Sequence, residues 1–271
     1  MDSWTVSGGD NTDIRVDATG PADARRVVFL HGYSQSRLSW REQFDSRLAE
    51  SYRLVAPDLR GHGRSGKPED AYDESALWAA DLAAVFDSAG ADAPVVVAWS
   101  YGGLALLDYL AERGTDRVAG INLVGAVSAI GTESATERLG SEYIALMDGL
   151  TDTDAERSIE AIEGLVRVCQ AEPPSERELA LMAGYNALCP PRVRDALRSR
   201  TVDHEALATS VDLPVLVTHG ADDRVVDPAT GELHAENPRA QHSVYRGVGH
   251  SPFLERPERF TRELLAFLDD L

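Results

Sequence analysis

The segment Pro94-Val95-Val96-Val97-Ala98-Trp99-Ser100-Tyr101-Gly102-Gly103 passes from a β-branched run, through a serine, into a helical pattern. Such a run bounded by a turn reads as a buried strand. A serine at the junction sits on a strained strand-to-helix turn with its Oγ lifted off the end of the sheet. The positions two before and two after it must be small, because strand and helix nearly touch there. Ala98 and Gly102 meet that demand. The bland alternative is an ordinary turn that holds a serine, and three further segments weigh against it.

Upstream, Arg26-Val27-Val28-Phe29-Leu30 runs into His31-Gly32-Tyr33-Ser34. A short apolar strand ending in His-Gly fits a loop that offers a backbone N–H to an oxyanion, and Tyr33 is the candidate donor. Tyr101, directly after the serine, is the second. Downstream, Val215–Thr218 reads as another buried strand and leads through His219-Gly220-Ala221 to Asp222-Asp223. A strand-like run from Val244 then ends in Gly247-Val248-Gly249-His250. The chain order is therefore serine, aspartate, histidine.

These segments together resemble the α/β-hydrolase superfamily, on its serine-nucleophile, esterase or cofactor-free haloperoxidase-like branch, over nearly the whole chain. The stretch from Ala56 to Gly66 is similar to that family's turn after its fourth strand. Two departures stand out: Ser34 lies where many members carry Pro, and Ala98 replaces the first Gly of the elbow. The resemblance implies a mainly parallel eight-stranded sheet with flanking helices. It also places the acid three residues after the Gly of His-Gly, at Asp223 rather than Asp222. The serine speaks against the haloalkane dehalogenase and epoxide hydrolase branches, which use a carboxylate at that position.

The implied chemistry follows from the side chains. A neutral serine hydroxyl is a weak nucleophile, so a base must take its proton. An imidazole titrates in the working range, so His250 is the candidate base and can return the proton to the leaving group. Asp223 would hold the imidazole tautomer and stabilise the imidazolium. The expected activity is hydrolysis of a small ester or related acyl compound through an acyl-enzyme. Haloperoxidase-like or perhydrolase activity, aminopeptidase or C–C hydrolase activity, or a ligand receptor on the same fold are the alternatives.

Other residues have plainer readings. His31, His62 and His219 sit in glycine turns and read as backbone-bonding residues, while His204, His234 and His242 fall in polar segments and read as surface. Trp40 and Trp99 read as packing. Gly61-His62-Gly63-Arg64-Ser65-Gly66 spells a dinucleotide-binding glycine pattern, but Lys67-Pro68-Glu69-Asp70 follows where a helix N-terminus would be needed. With no paired-cysteine or HExxH spacing either, neither a cofactor nor a metal is expected.

Strand patterns alternate with helical ones on either side of one long interruption. Residues 1–125 and 209–271 read as the core; 126–208 reads as a helical cap inserted after the sixth strand. Within it, Thr153–Glu156 and Ser175–Glu178 have the form of capping boxes, Pro190-Pro191 precedes a further helix, and no strand is evident. Ile159, Ile162, Val166 and Cys169 form one stripe, as do Trp78, Leu82, Val85 and Ala89 in the core, and Phe260, Leu264, Phe267 and Leu271 at the C-terminus. Tyr143, Met147, Met182, Tyr185 and Phe253 are the candidate pocket liners.

Asp and Glu number 45 against 26 Lys and Arg, for a net charge of −19. That balance disfavours nucleic acid and anionic membranes and leaves a small-molecule substrate as the expected partner. Two cysteines among 271 residues make no disulfide framework. Together with an N-terminus lacking a basic then apolar signal pattern, this points to the cytoplasm. Lys67 is the sole lysine, which either a GC-rich genome favouring arginine codons or a high-salt cytoplasm favouring a carboxylate-rich, lysine-poor surface would explain, and the excess of negative charge tips the reading towards high salt.

Overall fold

A computed structural model describes residues Met1–Leu271. Its strands are β1 Asp2–Ser7, β2 Asp13–Thr19, β3 Arg26–Leu30, β4 Arg53–Pro57, β5 Val95–Trp99, β6 Gly120–Val124, β7 Ala129–Ile130, β8 Val202–Asp203, β9 Val215–Gly220 and β10 Ala240–Tyr245. Eight of them form one sheet in the order β1-β2-β4-β3-β5-β6-β9-β10. β1 and β2 are antiparallel to their neighbours; the pairs from β4 through β10 are all parallel.

The two-residue side-chain period of a strand explains why the central strands are apolar throughout. In β5, Val96 and Ala98 join a core beneath the helices Ser75–Ser88 and Tyr101–Arg113, whereas Val95, Val97 and Trp99 face the opposite core. That second core holds Trp40, Phe44, Phe260 and Phe267. A strand covered on both faces has no solvated side to mark with polar residues. Within the expected stripes, Trp78, Leu82, Val85, Phe260, Leu264 and Phe267 are buried. Leu271 is not, because it lies beyond the end of its helix, Pro257–Asp269.

Between β6 and β9 the chain is mostly helical. Helix Glu176–Asn186 starts with the capping box anticipated at Ser175 and Glu178. Helix Ala155–Val168 begins differently from the expected box: Asp154 is its cap, accepting from the N–H of Arg157. Pro191 opens the helix Pro191–Arg198. Ile162, Val166 and Cys169 are buried, but Ile159 is 41% exposed and leaves the stripe. The region also contains a strand pair that periodicity did not show, β7 with β8, too short to display alternation.

Loops at the carboxyl ends of β3 and β4 are stitched together. His31 Nε2 accepts from the N–H of Leu59 at 3.0 Å, and His62 Nε2 accepts from the N–H of Ser34 at 3.2 Å. Their Nδ1–H groups donate to the carbonyls of Gly32 and Arg60 at 2.9 and 2.8 Å. Both rings are therefore neutral, and burial pushes them down to about 4 for His31 and about 3 for His62. Asp58 anchors the second loop, accepting from Arg37 Nη1 at 2.6 Å and from the N–H of Arg64 at 2.8 Å. No helix begins in Gly61–Gly66, so the glycine pattern there serves a turn.

Candidate active site

Ser100 lies between the last residue of β5 and the first residue of helix Tyr101–Arg113, with φ 54° and ψ −122°. Those angles are unfavourable for any residue with a Cβ and hold only because the surroundings enforce them. The packing explains how. A Cβ on Gly102 would lie 2.8 Å from the carbonyl oxygens of Leu30 and His31, so only glycine lets the helix approach β3 this closely. A Cβ on Gly32 would lie 2.9 Å from Ser100 Cβ, so that loop too passes directly over the serine.

Two backbone donors flank this position. The N–H of Tyr33 has no acceptor in the protein, and that of Tyr101, at the start of its helix, has none within it. Both are left free beside the serine, where an oxyanion would gain from them and from the positive end of the helix dipole.

His250 follows the loop after β10, and its Nδ1 lies 2.7 Å from Asp223 Oδ2. Trp99, one residue before the serine, donates its indole N–H to the His250 carbonyl at 2.8 Å, tying the histidine loop to the end of β5. Asp223 Oδ1 accepts from the N–H groups of Val225 and Val226 at 2.8 and 3.0 Å. Burial works against the charge of Asp223, but His250 beside it and hydrogen bonds from His219 and His250 outweigh that, holding its carboxyl well below the usual range. Asp222 is exposed and makes no contact with the histidine. Ser100 and His250 line a common cavity of about 20 Å³ with Gly32 and Tyr33.

A larger cavity of about 300 Å³ opens beside Ser100. Its walls are largely apolar and include Tyr33, Tyr101, Ile130, Leu139, Tyr143, Met147 and Val226, with Arg198 as the charged side chain. Of the five candidate liners, Tyr143 and Met147 are therefore at the cavity and three are elsewhere. Met182 and Tyr185 pack against Val166 under the helical region. Phe253 is sandwiched behind the histidine, its ring 4.2 Å from that of Trp40 and 4.9 Å from that of Trp99. Ile130, Leu139 and Val226 carried no sequence signal, because a wall residue and a core residue have the same hydrophobicity.

Two histidines also differ from their sequence reading. His234 is buried, with Nε2 2.9 Å from Ser128 Oγ, because its short helix, Ala229–His234, packs against β9 and β10. His204 is partly covered and contacts Asp108 at 2.9 Å, alongside the buried Arg200 guanidinium at 3.0 Å. His242 is exposed as expected. Both cysteines are buried and free.

Known proteins resemble this chain in sequence and fold over nearly its whole length. The esterase RhEst1 from Rhodococcus sp. ECU1013 superposes with a TM-score of 0.95, at 40% identity and with all of both chains covered. The bifunctional esterase/perhydrolase DCH of Acinetobacter calcoaceticus is 31% identical over 97% of this chain and 98% of its own length. A non-heme chloroperoxidase of Streptomyces lividans is 30% identical over 97% of this chain and 99% of its own length. Residues 27–263 match the alpha/beta hydrolase family. With a mainly parallel sheet, a serine at its central strand end and a family match over residues 27–263, this chain belongs to the alpha/beta hydrolase family.

Proposed function

We propose that the protein is a serine esterase that cleaves small esters through an acyl-enzyme. The observation that carries the reading is the 2.7 Å contact of Asp223 with His250, set beside a strained serine flanked by free N–H donors. Ser100 Oγ attacks the acyl carbonyl carbon as His250 Nε2 takes its proton. Asp223 holds Nδ1–H and stabilises the imidazolium. Charge on the carbonyl oxygen is met by the N–H groups of Tyr33 and Tyr101, each donor worth on the order of 3 kcal/mol to the transition state. His250 then protonates the departing alkoxide. Water, deprotonated by the same imidazole, releases the acid and restores Ser100.

The cavity of about 300 Å³ and its apolar walls favour a compact, largely apolar ester. Residues 126–208 act as the cap, since Ile130, Leu139, Tyr143, Met147 and Arg198 all reach the cavity from that region. No helix is long and apolar enough to cross a membrane. The free thiols and acidic composition support a cytoplasm of high salt as its place of work.

A panel of p-nitrophenyl esters of increasing acyl length tests the reading, together with a fluorophosphonate probe. Turnover highest at short acyl chains and labelling at Ser100 are expected. An unlabelled, inactive wild-type protein would refute it. Hydrogen peroxide in place of water at the acyl-enzyme is the second reading, supported by similarity to the esterase/perhydrolase of Acinetobacter calcoaceticus. Peracid formation from a short acid and peroxide checks it.

A further inference from the structure

Asp223 Oδ2 serves two imidazoles. His250 Nδ1 is 2.7 Å from it and His219 Nε2 is 3.0 Å from it. His219 stands near the end of β9, is buried, and places the same Nε2 3.2 Å from the carbonyl oxygen of Val226. A carbonyl and a carboxylate can only accept, so both contacts put a hydrogen on Nε2, shared between the two oxygens. The ring has little freedom to leave: a Cβ on Gly231 would lie 2.6 Å from Nδ1, so backbone presses against its far side.

We propose that His219 is a positioning residue for the acid of the triad: its Nε2–H aims Oδ2 at His250 and draws charge from it, setting the pH at which His250 becomes free to act as base. The inference rests on the esterase reading above. A carboxylate that turned its full charge on His250 would stabilise the imidazolium strongly and keep the base protonated at higher pH. Each hydrogen bond donated to that carboxylate lowers its pull on the proton. Oδ1 already has two donors from backbone, but Oδ2, the atom that faces the base, has only His219 besides His250.

The other ionisable groups near His219 are His234, on the helix Ala229–His234, and His242 on β10. Arg138 faces His234, and Glu232 faces His242. Burial pushes His234 down to about 3, and it also lowers His242, favouring the neutral ring in each. Asp223 is thus the charged group in direct contact with His219.

Two substitutions separate this role from a structural one. His219→Leu removes the donor at similar volume. Its kcat is expected to fall about tenfold, the size of one hydrogen bond to a charged group, with KM unchanged. The acid limb of its kcat/KM profile moves to higher pH by about half to one unit. His219→Gln, whose Nε2 reaches the same oxygen, recovers most of the loss and returns the acid limb. A His219→Leu enzyme with wild-type kcat and acid limb overturns the proposal, as does equal impairment of the two variants. Long-range ¹H–¹⁵N spectra of the wild-type protein need no variant to fold. An Nε2–H tautomer at His219 supports the proposal, and an Nδ1–H tautomer overturns it. Fluorophosphonate labelling that is lost in Ser100→Ala checks the triad reading separately; absence of labelling in the wild type overturns both.

Discussion

Ser100 holds an unfavourable backbone geometry at a cost of about 1–3 kcal/mol, which the packing around Gly32 and Gly102 sustains. Alanine in its place keeps the Cβ and the strain but loses the hydroxyl that the proposed mechanism uses as nucleophile. Ser100→Ala is therefore expected to lose ester hydrolysis and probe labelling with an unchanged melting temperature. On the proposed mechanism, Asp223→Asn removes the carboxylate that supports the His250 tautomer, and turnover should drop by up to about ten-thousandfold. Asp222→Asn changes an exposed side chain and should leave turnover near wild type; steady-state kinetics on the pair tells them apart. Ser34 has φ 62° and donates its N–H to His62. Proline, fixed near −65° and without that N–H, cannot occupy the position unstrained. Ser34→Pro should destabilise the fold by more than about 1 kcal/mol, read from denaturant midpoints, and weaken the loop that carries Tyr33.

At the scale of elements, the loops after β3 and β4 are locked by neutral imidazoles whose Nε2 atoms accept backbone N–H groups. A proton on either Nε2 would face a donor. The unfolded chain binds protons at its histidines below about pH 6.5, whereas the folded chain resists until about 4 at His31 and about 3 at His62 and His234. Their contribution is fully present above about pH 6.5 and is lost as pH falls towards 3, by up to about 1.4 kcal/mol per imidazole per unit. Asp81 and Glu255, whose carboxyls burial pushes up, offset part of this in acid. Melts taken from pH 8 to pH 4 should be flat above 7 and fall steeply below 6. A melting temperature constant down to pH 5 would contradict this account.

For the whole molecule, charge of one sign is the governing quantity. A net charge of −19 on a compact body repels itself, and the buried pairs Arg60–Asp81 and Arg200–Asp108 do nothing to reduce the exposed excess. Salt shortens the Debye length from about 10 Å at 0.1 M to about 3 Å at 1 M, screening that repulsion while affecting buried pairs much less. Molar KCl should thus raise both melting temperature and esterase activity over dilute buffer. A melt that is unchanged or lower in molar KCl would leave arginine-favouring codon usage as the reason for the composition.

What the sequence determined by itself is local. The strand-serine-helix junction, the central strands and the Ser175 capping box are written in residues adjacent or a few positions apart, and the order serine, aspartate, histidine follows from three such local motifs placed along the chain. Backbone sterics and side-chain periodicity act over that range. The sheet order, with β3 between β4 and β5 and β9 beside β6, was decided only by tertiary structure, because pairing depends on which apolar faces meet. The same cause separates the pocket from the core. Met182, Tyr185 and Phe253 are as apolar as Tyr143 and Met147, and only the path of the helices puts the latter pair at the cavity. His219 reads in sequence as a backbone-bonding turn residue and His234 as a surface one, yet both are buried. One reaches the Asp223 carboxylate and the other Ser128, since a hydrogen bond needs a partner brought within about 3 Å, and the folded chain alone supplies it.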